Sequence, residues 1–220
     1  MLREKMELLR KKFTDSIAEV EGMLAEVSGG LVEASEGFLE KVAAREERVN
    51  QFELELDFFC TSIISLYAPE ARDLRTVLMI LKMNNDVERI GDLLYGVAKV
   101  VAQLREQGEA CDPELRGLLD DAGAMFKRAV DAFFEEDAQK ADAVLADDDA
   151  IDQRRHRIIG RMLETIAKDP DHVRRYYSNI KATQKVERIA DHATNIAEDV
   201  IYMIKATSVK HQHEEGHGKA

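Results

Sequence analysis

The chain has 220 residues, 34% of them charged, and a formal net charge of −12. That acid excess argues against a nucleic-acid binder, whose phosphates call for a basic surface, and against tight capture of free anions. It suits cations and partners with basic patches. Only 3 prolines, no tryptophan and plentiful Leu, Ala, Glu, Lys and Arg favour helices over sheets, in a chain long enough for one large or two small cored domains.

The start, Met1-Leu2-Arg3-Glu4-Lys5, has no signal-peptide core, and a cytoplasmic protein is expected. Met6, Leu9, Phe13, Ile17, Val20, Leu24, Val27 and Leu31 recur every three or four residues and predict a first helix into the mid-thirties. Gly29-Gly30 falls inside it, where a close helix contact is expected, and Ser35-Glu36-Gly37 is the turn. A second helix over 39–67 carries Phe52, Leu56, Phe59, Ile63 and Leu66. Its stretch 58–68 is the most apolar of the chain, but it is shorter than the ~18–20 residues of a membrane span and holds Thr61, Ser62 and Ser65. Ala68-Pro69-Glu70-Ala71 breaks it. A third helix over 72–107 follows, with the seam Val77, Ile80, Met83, Val87, Ile90, Leu94, Val97, Val101 and Leu104.

Residues 108–111 link the halves. Asp112-Pro113-Glu114 then reads as an N-cap, a proline at the first helical position and an acid against the helix dipole. Helix four runs to about 136, helix five over 138–168, and Asp169-Pro170-Asp171 turns the chain into helix six, ending near 206. Residues 208–220 read as a polar tail, in which His211, His213 and His217 are either solvated or a loose metal grip. Cys60 and Cys111 are far apart and in no CxxC, so two free, non-nucleophilic thiols are expected.

Helices of thirty-odd residues are rods of ~45–50 Å, and short links make neighbours antiparallel. The expected fold is all-α: two tandem antiparallel three-helix bundles, 1–108 and 109–207.

The two halves repeat each other. Shifted by 99 positions, Val87-Glu88-Arg89-Ile90-Gly91-Asp92 lies over Val186-Glu187-Arg188-Ile189-Ala190-Asp191, with no gap from Phe52-Glu53 over Ile151-Asp152 to Val101 over Val200. On the sixth helix Gln184, Glu187, Asp191, Asn195 and Glu198 form a polar line beside an apolar stripe of Val186, Ile189, Ala193, Ile196, Val200 and Met203. If helices five and six fold back about Asp169-Pro170, Asp152 comes level with Glu187 and Asp148 with Asp191. The same folding of the first half brings Glu53 level with Glu88, and Asp92 level with Val49. Four carboxylates within reach of one another repel. They persist if basic side chains neutralise them, if they turn into water, or if cations sit among them. Arg89 and Arg188 should point about 100° away from the neighbouring glutamates and not cancel them.

The residue pattern leaves two readings open, a solvated acidic face or a site for hard cations such as magnesium, manganese, calcium or iron. The first half is the weaker candidate, with Val49, Gly96 and Lys99 where the second has Asp148, Asn195 and Glu198. His192, His156 and His172 read as structural or surface residues. No phosphate loop, nucleophile elbow or H-E-x-x-H motif occurs. The one Glu-x-x-His, Glu214 to His217, lies in the tail and speaks against a di-iron oxidase.

At ERIGD (residues 88–92) and ERIADHATNIAEDVIY (187–202) the sequence resembles the PhoU family, regulators of phosphate-specific transport in bacteria. The likeness extends to Pro69-Glu70-Ala71-Arg72-Asp73-Leu74-Arg75, to DDAID (148–152) and to Gly29-Gly30, and covers about residues 10–206. It implies multinuclear clusters of divalent or trivalent metal ions (iron, manganese, magnesium or zinc) held by Asp148, Asp152, Glu187 and Asp191, and in the first half by Glu53, Glu88 and Asp92; Asn195 and Glu198 are further candidate ligands from the polar line of the sixth helix. It further implies a non-enzymatic, peripheral cytoplasmic adaptor, often a homodimer. Such an adaptor links the ATPase of a phosphate ABC transporter to a membrane sensor histidine kinase and shuts down the phosphate-starvation response. A regulator of a secondary phosphate carrier, a metal-dependent carboxylate enzyme and a plain helical scaffold are the alternatives.

Overall fold

The computed structural model describes residues 1–205, so the expected tail and its histidines lie outside the described residues. Six helices follow one another: α1 (Leu2–Val32), α2 (Phe38–Tyr67), α3 (Ala71–Glu106), α4 (Pro113–Glu135), α5 (Ala138–Lys168) and α6 (Val173–Lys205). The turns come where the chain's chemistry puts them. Gly108 takes φ 70° after α3, and the Glu109 and Gly108 N–H groups bond back to Leu104 and Arg105 carbonyls, a Schellman ending. Asp112 accepts the Glu114 N–H at 2.9 Å with Pro113 at the first helical position. Asp137 accepts from Gln139 and Lys140 in the same way and starts α5.

α1, α2 and α3 pack as one antiparallel bundle, and α4, α5 and α6 as a second. The seam expected of α3 is buried throughout. On α2 the buried line is Val42, Val49, Leu56, Cys60 and Ile63, while Phe52 and Phe59 are half-buried. Leu66, expected in that seam, is instead 76% exposed, because the last turn of α2 runs past the side chains it packs on. Gly30 is buried against Phe38 at the start of α2, but Gly29 has nothing near it, so the close approach expected of the pair involves Gly30 alone. Arg105 of α3 donates to the Gly30 and Val32 carbonyls at 3.1 and 2.7 Å and closes the end of α1.

The bundles meet along α3 against α6 and α1 against α4. Leu24 of α1 rests on Gly123 of α4, and Phe13 stacks edge-on to Phe133, ring centres 5.8 Å apart. α3 and α6 run antiparallel. Lys82 pairs with Asp199, Asp86 with His192 at 2.8 Å, and Gly96 lies under Lys185. Both helices are consequently buried on more than one face and form the centre of the molecule. No described helix is long and apolar enough to cross a membrane.

Candidate functional site

The acids that the hairpin register pairs lie near enough on the α5–α6 face to feel one another's charge. Burial of the Asp191 carboxyl, then the charges of Glu187, Asp148 and Asp152, push its pKa up to about 6, against the pull of His192. The side chain as a whole is nonetheless exposed to solvent, which screens part of this effect. Desolvation is the larger cause, and the three neighbouring carboxylates add to it. Arg155, whose Nε lies 3.8 Å from Glu187 Oε1, is a neighbour that the acid register alone does not reveal. It stands three residues beyond Asp152 on the same side of α5, and that spacing was the available signal.

Asn195 is turned elsewhere. Its amide donates to Asp86 Oδ1 of α3 at 3.3 Å, beside the His192–Asp86 contact. His192 is thus tied to α3, in keeping with a structural role. Glu198 is half-buried one turn further on. His156 has its Nδ1 2.8 Å from the Asp152 carbonyl, and His172 its Nδ1 3.2 Å from Glu109.

In the first half Glu88 is the perturbed acid. Burial and then Asp92 raise its pKa, Arg89 lowers it, and Glu53 and Glu46 raise it further. Glu46 is a member the sequence reading passed over, although it lies seven residues before Glu53 and so on the same face of α2. Arg89 corrects an expectation: its Nε lies 3.4 Å from Glu88 and its Nη1 3.5 Å from Asp92. The backbone direction was right, but the long guanidinium stem swings back across it. Lys99 lies 4.1 Å from the Tyr95 ring centre, and Val49 is buried beside Gly91. Arg89 therefore partly offsets the acids of the first cluster.

The donor set of the second cluster is all oxygen and suits a hard cation. Among the described residues no three His, Cys, Asp or Glu side chains converge on one point as they stand. Ion binding there would draw the carboxyls of Asp148, Asp152, Glu187 and Asp191 inward from their present rotamers. The thiols offer no rival chemistry. Both are free, burial and then Asp57 push Cys60 up to about 12, and burial raises Cys111.

A model of the PhoU domain matches the chain twice, over residues 14–101 and 115–200. The phosphate-specific transport system accessory protein PhoU homolog of Pseudomonas putida is 37% identical over 168 residues, 76% of this chain and 66% of that protein. The homolog of the same description from Burkholderia sp is 33% identical over 177 residues, 78% of this chain and 74% of its own. The crystal structure of PhoU from Pseudomonas aeruginosa matches with a TM-score of 0.89 and 31% identity, over 94% of this chain and 100% of that one.

Proposed function

Because the chain belongs to the PhoU domain family, we propose that it is a non-enzymatic accessory protein that regulates phosphate transport. The relatives' description as accessory proteins of phosphate-specific transport supports this reading. In its finer form, the protein is a cytoplasmic adaptor, acting as a homodimer, between a phosphate transporter ATPase and a membrane sensor kinase. Its metal load is held by Asp148, Asp152, Glu187 and Asp191. The observation that carries the metal part is Asp191, whose proton affinity is raised by burial and then by three neighbouring carboxylates.

Two experiments test the two parts. Pull-down with the full chain from cells grown in high and low phosphate should recover the transporter ATPase or the kinase. Recovery of neither in either condition counts against the adaptor. Metal analysis of purified protein should find bound divalent or trivalent ions that Glu187→Gln with Asp191→Asn removes for the most part. Equal metal content in the double variant discards the cluster.

A further inference from the structure

We propose that the face of α6 beside the acid cluster is an anion site that takes a phosphate-sized oxyanion. A cleft of about 490 Å³ is lined there by Arg155 of α5 and by Lys181, Gln184, Lys185, Glu187 and Arg188 of α6. Four cations and one carboxylate share this wall in a chain whose net charge is −12. Many cations of this molecule sit against acids, as Arg45 does with Glu19 and Glu26 and Arg161 with Asp112 and Glu114, and those without an ion pair among the described residues, such as Arg10, Lys41 and Lys127, are not gathered in one cleft with three others. Lys181, Lys185 and Arg188 make no ion pair among the described residues; Lys181 lies 4.5 Å from the Tyr177 ring centre instead. Arg155 Nε is buried with no hydrogen-bond partner, and its contact with Glu187 at 3.8 Å is beyond hydrogen-bond range.

The internal repeat supplies the control. At the positions of Arg155, Lys181, Lys185 and Arg188 the first half has Leu56, Lys82, Asp86 and Arg89. Leu56 is core, Lys82 is paired with Asp199, Asp86 holds His192, and Arg89 lies on Glu88 and Asp92. The same bundle therefore stands without an unpaired positive wall, and the fold does not require one. Gly96 of α3 also has a reason here. A Cβ on it would stand 2.8 Å from Lys185 Nζ and 3.0 Å from its Cδ and Cε, so glycine leaves the space in which the lysine lies. Where the first-half acid line lost a donor at Gly96, the second half gained a placed cation.

A guanidinium, two ammonium groups, a second arginine and an amide offer more donors than a carboxylate can use. They match an anion with several oxygens and two charges. Inorganic phosphate and a phosphate monoester share that chemistry. Choosing phosphate among oxyanions rests on the proposed function; the anion site rests on the cleft alone.

Calorimetric titration of the full chain tests it, after dialysis against EDTA so that no bound metal ion can carry the anion. Inorganic phosphate and AMP are the two probes. One anion should bind per chain. Lys181→Gln with Lys185→Gln, and separately Arg188→Gln, should weaken binding at least about tenfold, since each removes a charge-assisted hydrogen bond. Gly96→Ala should weaken it too, with no change of charge, by displacing Lys185. Saturation by both probes assigns the site to phosphoryl groups in general, and by phosphate alone to the free ion. No binding of either by the wild-type chain, or undiminished binding by folded variants, overturns the proposal. The titration needs neither transporter nor kinase, so its failure and that of the adaptor reading are separately visible.

Discussion

Gly29 and Gly30 stand side by side in α1 and meet opposite surroundings. A methyl group on Gly30 would lie 2.3–2.6 Å from the ring of Phe38, whereas one on Gly29 would touch nothing within 4 Å. Gly30→Ala must push a buried ring aside and should cost about 1–3 kcal/mol. Gly29→Ala removes a flexible residue from a helix interior and should gain about 0.5–1 kcal/mol. Urea unfolding of the two variants should move in opposite directions, and two shifts of the same sign would contradict the packing. A bare sequence shows the pair but not the difference, because which glycine faces the neighbour depends on where α2 starts. The same limit applies to Arg89. Helical spacing fixes where a Cα–Cβ bond points, but a stem of three methylenes can carry the charge back over its own helix. Short side chains escape that ambiguity. Asp112 was legible as a cap because its short side chain reaches the N–H groups of the first turn directly.

At the scale of the element, the α5–α6 hairpin was legible almost whole. Pro170 fixes the turn, the turn fixes the register, and the register brings Asp148 and Asp152 to Asp191. What that proximity does to stability has a definite sign. The folded state binds a proton at Asp191 more readily than the unfolded chain does, with a pKa of about 6 against an ordinary 3.8. The stabilisation from protonation is therefore fully present below 3.8 and is lost as pH rises through about 6. At neutral pH the metal-free hairpin carries a repulsion that Asp191→Asn relieves. Discounted for the solvent at its edge, the gain is roughly 1 kcal/mol, or about 2–4 °C in Tm. Thermal melts between about pH 4 and pH 8 should show this in metal-free protein. Added manganese should reverse the trend, since an ion binds the ionised carboxylates and is displaced by protons. A wild-type Tm without pH dependence in this window, matched by Asp191→Asn, would remove the cluster's electrostatic basis.

In the whole molecule α3 and α6 pack antiparallel and meet at repeat-equivalent positions, a relation the sequence repeat did not announce. The repeat specifies each hairpin from within, and the expected α3 seam describes one stripe only. The signal for the second buried face was the small Gly96, buried together with Val100 one turn on. Under the repeat, Asp86 facing Asn195 corresponds to Lys185 facing Gly96, and the positions of Lys82 and Asp199, which pair, to Lys181 and Val100, which cannot. The backbone is symmetric and the chemistry is not. Lys82 and Asp86 of the first half pair across the interface, whereas their second-half equivalents Lys181 and Lys185 make no ion pair among the described residues and line the cleft. The interface also joins the two cores, for the buried side chains of all six helices form one continuous cluster. The chain should then unfold in one calorimetric transition despite its two bundles, with matching calorimetric and van't Hoff enthalpies. Lys82→Ala tests the joint. Asp199 is only 1% exposed, and removing its lysine should cost about 2–3 kcal/mol. If the bundles are one cooperative unit, the whole transition falls by roughly 5–10 °C and stays single. A split into two transitions would instead mean that each bundle stands on its own core and that α3 and α6 merely touch.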